Sequence, residues 1–249
     1  MKPSTSFDHI AELWDEKVGN NGSKMVSAIR ETANHIISEL RPLKTRKVYE
    51  IACGNGFLAR KLAGKVKEMR ASDVSKKLID FAQKKYDAKG IRYEVREATD
   101  FKAIPKNHFD AVIVHQGIFY IKDIEKLAKG ISAILKKGGV VIFSEMHPLM
   151  YLANLDTYLK LSSNDLLERA KLYTKNRNVV VHKDWFVNGK KYHAVYSQFK
   201  RPFSFYINIF AKYNLLTTKI IEPPTTNMIK GKILKSSIPS SLIIKCKKT

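Results

Sequence analysis

Apolar residues recur at helical spacing at the start of the chain. Those of the first helix are Phe7, Ile10, Leu13 and Trp14. Ser6 precedes them as a candidate N-cap. A second helical pattern follows the polar stretch 19–23 and stops at Arg41-Pro42, because the residue before a proline disfavours helix. Residues 1–45 are therefore predicted to form a helical cap.

Short buried apolar runs then alternate with helical patterns between residues 46 and 148. The predicted strands are VYEIAC (48–53), KEMRAS (67–72), IRYEVR (91–96), FDAVIVH (109–115) and GGVVIFSE (138–145). Helices are predicted over 56–63, 75–86 and 124–135. Such alternation is typical of an α/β fold with a doubly wound, mostly parallel sheet and right-handed crossovers.

The pattern changes after Met146-His147-Pro148. A helical stretch is predicted to about Tyr173, followed by two alternating strands around Asn188-Gly189, a dipeptide that favours a tight hairpin. We expect residues 149–200 to be an inserted cover. A helix over 203–212 and two strands, LTTKIIE (216–222) and SLIIKCK (241–247), then return to the main sheet, so 46–148 and 201–249 make one core within a single domain 1–249.

Composition excludes several classes of protein. The 249 residues carry a formal net charge of +22, but the lysines are spread along the chain rather than grouped in a basic tract. No apolar run is long enough to span a bilayer, and Met1 to Phe7 lack the apolar centre of a secretory signal. Two cysteines and seven histidines show no metal-ligand spacing. We expect a cytoplasmic protein without membrane contact or metal.

The segment Glu50-Ile-Ala-Cys-Gly-Asn-Gly56 lies where the first parallel strand turns into its helix. Glycine there lets the backbone approach a ligand, and the free N–H groups of a helix start favour polar or anionic atoms. Asp73, at the end of the second strand, is an acceptor for both hydroxyls of a ribose. Together these features predict a nucleoside site.

The same glycines leave an alternative open. Gly54-x-Gly56-x-x-Ala59 satisfies the relaxed pattern of NAD-binding oxidoreductases, with an acid further along. The Tyr196 and Lys200 pair has the spacing of a dehydrogenase motif, but we interpret it as accidental because it falls in a predicted strand. A non-catalytic nucleoside-binding protein is a further alternative.

Over residues 47–148 the chain resembles the class I S-adenosylmethionine-dependent methyltransferases, whose motifs occur in the family's order. EIACGNG is similar to the first motif, Asp73 to the ribose-binding acid, and 97–100 to the adenine-contacting stretch. Residues 109–115 and 135–139 resemble the fourth-strand motif and the turn before the fifth strand. The resemblance implies a Rossmann-like methyltransferase fold that ends in an antiparallel hairpin.

The resemblance also implies S-adenosylmethionine as cofactor and S-adenosylhomocysteine as product. The residues it places at the cofactor, with Trp14 closing from the first helix, are Trp14, Glu50, Ala52, Cys53, Gly54, Gly56, Asp73, Val74, Glu97, Ala98, Thr99, His115 and Gly117. Ala52 stands where many members have glycine, and Glu97 replaces a commoner aspartate.

Methyl transfer from a sulfonium is an in-line displacement, so the enzyme chiefly orients the reactants in a dry site. His147, after the fifth strand, is the best candidate for an acceptor base, because imidazole titrates near neutral pH. His115 and Tyr120, after the fourth strand, are further candidates. The residues that could line an acceptor cavity from the cover and its end are Tyr151, Tyr192 and Arg201.

The leading hypothesis is methyl transfer to oxygen or nitrogen of a small polar metabolite, with an anionic one favoured by the charge. A nucleic-acid methyltransferase is a weaker alternative. His115-Gln-Gly-Ile118 lacks the Asp/Asn-Pro-Pro-Tyr/Phe signature that recognises an extruded base, and Cys53 is committed to the cofactor loop.

Overall fold

A seven-stranded sheet forms the centre of the molecule. The computed structural model describes residues 7–19, 24–86, 89–148, 173, 175–187, 190–223, 225–229, 232–236, 239 and 241–249. The sheet strands are β1 (Lys47–Ile51), β2 (Glu68–Asp73), β3 (Ile91–Val95), β4 (Phe109–Val114), β5 (Leu135–Met146), β8 (Leu215–Ile221) and β11 (Ser241–Lys248). Their order is β3-β2-β1-β4-β5-β11-β8.

The first five strands pair in parallel, whereas β11 lies antiparallel to both β5 and β8. This confirms the predicted mostly parallel sheet with an antiparallel end. The chain leaves β1 towards β2 on one side and later returns to β4 on the other, so the winding reverses between β1 and β4. In open α/β sheets, ligands bind in the crevice outside the carboxyl ends of the strands at such a point.

Helices cover the sheet and its ends. They are α1 (Ala11–Gly19), α2 (Lys24–Glu39), α3 (Phe57–Leu62), α4 (Lys76–Asp80), α5 (Ile124–Ile134) and α6 (Phe203–Lys212). The strand β4 is buried along almost its whole length, because helices lie on both of its faces and its residues are apolar except for Asp110. Among the described residues, no helix has both the length and the apolar character to cross a membrane.

Two further hairpins stand apart from the main sheet. The strands β6 (Arg177–Val187) and β7 (Lys190–Lys200) pair across the predicted Asn188-Gly189 turn, whose two residues lie outside the described ones. The cap packs on this hairpin through a small apolar cluster that includes Ile10, Leu13, Ala194 and Tyr196. The hairpin and the cap thus meet above the carboxyl ends of the parallel strands.

Several boundaries differ from the sequence prediction. The helix predicted over 75–86 is a five-residue α-helix followed by a π-helical turn, Phe81–Lys85. The strand β5 begins at Leu135, three residues before its predicted start, because Leu135 already pairs with Phe109 of β4. The hairpin of β9 (Thr225–Ile229) and β10 (Lys232–Ser236) was not predicted. The helical stretch predicted towards Tyr173 falls on residues outside the described ones.

Candidate active site

A cavity of about 580 Å³ opens at the carboxyl ends of β1, β2 and β4, below the β6–β7 hairpin. This is within the size range of cofactor and small-molecule sites, roughly 300 to 1,000 Å³. Many of the residues predicted for the site line this cavity. They are Trp14, Glu50, Ala52, Cys53, Gly54, Asp73, Val74, Glu97, Ala98, His115, Gly117 and Tyr120. Most of the predicted cofactor set is therefore brought together in one place.

The loop between β1 and α3 is shaped by backbone geometry. Ala52 and Gly54 both have φ 56°, in the left-handed region, so the chain turns sharply here. The N–H of Cys53 donates to the Ser72 carbonyl at 2.9 Å, and the N–H of Gly54 donates to Asp73 Oδ2 at 2.8 Å. The loop is consequently tied to the end of β2.

Asp73 links the glycine loop to the start of α4. Its Oδ1 accepts from the N–H of Ser75 at 2.9 Å, while burial raises the pKa of the carboxyl against these backbone hydrogen bonds. A carboxylate has about four lone-pair sites. Each oxygen of Asp73 thus keeps capacity to accept a ligand hydroxyl, which fits the predicted ribose contact.

Glu50 is a buried acid on the wall of the cavity. Burial is the main cause that raises its pKa to about 8, and it is only 1% exposed. Its Oε2 has no hydrogen-bond partner among the described residues. A buried polar atom without a partner costs free energy unless a ligand or water satisfies it. This orphaned oxygen therefore fits a cavity that receives a polar cofactor.

Two glycines of the site are required by packing between protein groups. A Cβ at Gly56, which has φ 75°, would lie 2.3 Å from the hydroxyl of Tyr93, and Gly56 does not line the cavity. A Cβ at Gly117 would lie 2.7 Å from the Cβ of Ala52. The loop after β4 thus approaches the loop after β1 closely. Ala52, the departure from the family's glycine, faces this contact.

His115 follows β4 and is 9% exposed. Burial lowers the pKa of its imidazole to about 4, and a hydrogen bond to the backbone of Ile29 opposes this only in part. Nε2 has no hydrogen-bond partner within the part of the chain that the structure describes. The His115 ring is therefore neutral at neutral pH.

Aromatic side chains enclose the other end of the cavity. Phe7 meets Tyr120 edge-on with ring centroids 4.9 Å apart, and Tyr120 meets Tyr196 of β7 at 5.9 Å. Phe199 lines the same end, and burial raises the pKa of the Tyr120 hydroxyl. This half of the cavity is built by residues from the cap, the segment after β4 and the hairpin.

Two aspartates of the cap hold it over the cofactor loop, and sequence reasoning missed both. Asp15, 2% exposed, accepts from Asn55 Nδ2 at 2.8 Å and pairs with Lys85 at 2.5 Å. Asp8 accepts from the Ser75 hydroxyl at 2.6 Å. The partners are some 40 to 70 positions away in sequence, so no local pattern could have indicated these contacts.

Several predicted residues lie outside the cavity lining. Nε2 of His147 lies 2.9 Å from Glu222 Oε1, and Arg201 donates from Nη2 to the carbonyl of Lys122 at 2.7 Å. Tyr192 packs against the cap cluster. Thr99 is also absent from the lining. Tyr151 lies outside the described residues.

Comparisons with known proteins agree with this geometry. Residues 49–143 match the family described as "Methyltransferase domain". The chain is 27% identical over 143 residues to the ubiquinone biosynthesis O-methyltransferase of Thiobacillus denitrificans, covering 57% of this chain and 61% of that protein. A similar match, 26% identical over 57% of this chain and 61% of the relative, is to the enzyme of that name from Chromobacterium violaceum. The match spans less than two thirds of these relatives.

Solved structures show the same fold. Magnesium protoporphyrin IX methyltransferase from Synechocystis, with bound S-adenosylhomocysteine, superposes with a TM-score of 0.63 at 13% identity, covering 99% of this chain and 97% of that one. An S-adenosylmethionine-dependent methyltransferase from Mesorhizobium loti gives 0.59 at 15% identity, covering 91% and 98%. The chain thus matches the methyltransferase family model over residues 49–143 and has the fold of these S-adenosylmethionine-dependent methyltransferases.

Proposed function

We propose that this protein transfers the methyl group of S-adenosylmethionine to an oxygen or nitrogen of a small acceptor. The observation that carries the proposal is the continuity of one cavity, which joins Asp73 and the Gly54 loop at one end to the aromatic wall at the other. A cofactor whose nucleoside is held at the first end would extend towards an acceptor molecule at the second end.

The cofactor supplies an electrophilic methyl carbon when bound, and the residues of this chain have to orient it. Asp73 would accept hydrogen bonds from the ribose hydroxyls, and Glu97 and Ala98, which line the same cavity, would contact adenine. Cys53 and Gly54 would present backbone groups to the remaining part of the cofactor. Orientation of two reactants can lower a barrier by roughly 7 to 11 kcal/mol. These residues therefore act by positioning and by excluding water.

The acceptor end favours a small molecule with an apolar body. Among the described residues of the cavity lining, the acidic and basic side chains are Glu50, Asp73, Arg96, Glu97 and Lys122. The raised pKa of Glu50, about 8, leaves it mostly uncharged at neutral pH, so two acids face two bases. This gives no support to the anionic acceptor that net charge favoured. The names of the curated relatives specify O-methylation, which supports oxygen as the receiving atom.

We further propose that residues 149–200 cover the acceptor in a single-domain enzyme. The packing of the hairpin on the cap supports this arrangement. A cytoplasmic location is supported by two buried cysteines that remain free, Cys53 and Cys246.

Calorimetry tests the cofactor assignment. We expect the purified protein to bind S-adenosylmethionine and S-adenosylhomocysteine, and to show no heat with NAD. A preference for NAD would overturn the proposal. Incubation with a metabolite extract should then release S-adenosylhomocysteine, measured by mass spectrometry. Tight cofactor binding with no release from any extract would instead indicate a non-catalytic binding protein.

A further inference from the structure

We propose that the edge of the main sheet opposite the cavity binds a nucleic-acid duplex through its phosphates, without reading its bases. We call this surface the basic edge. The exposed side chains that define it are Lys44, Lys65, Lys67, Lys106, Lys137 and Lys247. The inference concerns a second surface of the molecule and does not depend on the proposed methyl transfer.

The sheet gathers lysines that are far apart along the chain. Parallel strands begin at the same edge of a sheet, so the segments that lead into β1, β2, β4 and β5 meet there. Lys67 directly precedes β2, Lys106 precedes β4, and Lys137 lies in the first residues of β5. Because β11 runs antiparallel to β5, its last residues return to this edge with Lys247. Folding therefore concentrates positive charge that the sequence distributes evenly.

Contacts between neighbouring strands join these positions into one surface. The N–H of Lys67 donates to the carbonyl of Arg46 at 2.9 Å, which connects the starts of β2 and β1. Lys248 Nζ donates to the carbonyl of Leu135 at 2.7 Å and to Asn107 Oδ1 at 3.0 Å, which connects β11 to the starts of β5 and β4. The strands are consecutive in the order β2-β1-β4-β5-β11. At about 4.8 Å between neighbours, the basic edge is about 19 Å long.

Two carboxylates at this edge are already engaged. Glu68 Oε2 lies 2.9 Å from His108 Nε2 and 3.8 Å from Lys47 Nζ. Asp110 accepts from Lys136 Nζ at 2.7 Å and from the N–H of Lys47 at 2.8 Å. Among the described residues, no carboxylate forms an ion pair with any of the six lysines that define the basic edge. Their charge is therefore available to a partner.

The chemistry of the basic edge favours a duplex as that partner. A duplex carries one negative charge per about 1.7 Å of its axis, and lysines bind phosphates as point charges. The large apolar side chains exposed among the described residues are Val95, Val180, Phe203, Leu216 and Ile220. Only Leu216 borders the basic edge, because it pairs with Lys247 across β8 and β11. This part of the described surface thus has no exposed ring to stack on unpaired bases and no apolar cluster to anchor a membrane.

The basic edge and the cavity lie at opposite ends of the parallel strands. β1 has five residues, so the two are separated by about 16 Å at about 3.3 Å per residue. None of the six lysines that define the basic edge lines the cavity. A duplex bound at this edge is therefore not the methyl acceptor, and it should leave cofactor binding unchanged.

Fluorescence anisotropy with the full chain and a labelled DNA duplex of about 20 base pairs tests the inference. Neutralising about six phosphates should lower the affinity about 1,000-fold between about 50 and 200 mM salt, because bound counterions are released. We expect that loss, and the same affinity for two duplexes of unrelated sequence. No binding at the lower salt concentration, an affinity independent of salt, or a preference for one sequence would each overturn the inference.

Two variants with the same change in net charge locate the binding. The edge variant combines Lys67→Gln, Lys106→Gln, Lys137→Gln and Lys247→Gln, and the control variant combines Lys77→Gln, Lys126→Gln, Lys129→Gln and Lys175→Gln at exposed positions elsewhere. The edge variant should bind the duplex about 100-fold more weakly at the lower salt concentration, with a smaller salt dependence. The control variant should lose much less affinity, and both should keep the melting temperature of the wild type. Equal losses in the two variants would make the binding a property of net charge alone and would overturn the inference.

Two further measurements separate the basic edge from other partners and from the cavity. If the edge variant lost binding to vesicles of phosphatidylcholine and phosphatidylglycerol but kept its affinity for the duplex, the partner would be a membrane and the inference would be wrong. S-adenosylhomocysteine affinity, measured by calorimetry, should be the same with and without the duplex. Displacement of S-adenosylhomocysteine would place the nucleic acid at the cavity and also overturn the inference. A protein that binds the duplex at this edge but not S-adenosylhomocysteine would support the inference and contradict the proposed function.

Discussion

The two ends of the cavity are built in different ways. At the cofactor end, backbone groups of the loop after β1 are fixed by Asp73 and by the Ser72 carbonyl, all within 30 residues of sequence. At the aromatic end, where we propose that the acceptor binds, the wall consists of side chains from Phe7, Tyr120 and Tyr196, which lie far apart along the chain. Backbone positions change little when side chains are substituted, whereas a wall of side chains changes with each substitution. A fold of this kind can keep its cofactor while its acceptor changes.

The cap connects the two ends. Its Asp15 binds Asn55 of the cofactor loop, and its Phe7 and Trp14 lie on the cavity wall. The cap therefore lines both ends of the cavity. It is held there by these polar contacts, by the apolar cluster with the hairpin, and by Ala33, Ile36 and Leu40, which pack on the main sheet.

The largest effect should come from the cofactor end. We expect Asp73→Ala to weaken S-adenosylhomocysteine binding about 100-fold, because two charge-assisted hydrogen bonds of about 1.5 kcal/mol each are lost. Calorimetry measures this directly. Asp80→Ala removes a carboxylate that pairs with Lys76 on the surface of α4 and serves as the control. Similar affinities in the two variants would place Asp73 outside the cofactor site.

Substitution of the two loop glycines should destabilise the protein to different extents. Gly56→Ala should destabilise the protein by about 3 kcal/mol, through positive φ and the contact with Tyr93. Gly54→Ala meets only Trp14 Nε1 at 3.7 Å, so backbone strain alone should lower its stability, by about 1 kcal/mol. Denaturant unfolding measures both. Equal losses would contradict the packing role given to Gly56.

The smallest effect should come from His147. His147→Gln keeps a donor for the partly exposed Glu222, and the residue does not line the cavity, so turnover should change less than twofold. The measurement is the initial rate of S-adenosylhomocysteine release with an acceptor found in the extract. A large loss of rate would restore His147 as the acceptor base that its sequence position suggested.

Sequence patterns predicted the cofactor half in some detail. The alternation of strands and helices predicted the sheet, and Gly54 and Asp73 were expected together because the ends of adjacent parallel strands share one edge. The same reasoning placed His147 at that edge but could not show that its ring pairs with Glu222. It also could not distinguish Gly56, whose neighbour is Tyr93, from a glycine that faces a ligand.

The sequence by itself determined the order of the elements of the main sheet and the nucleoside loop, because these depend on local periodicity and on short-range turn chemistry. Only the tertiary structure decided that Asp8 and Asp15 fix the cap and that the hairpin packs on it. It also decided that Nε2 of His115 has no hydrogen-bond partner among the described residues. These features depend on which distant side chains become neighbours when the chain is packed and on which polar atoms burial leaves without water.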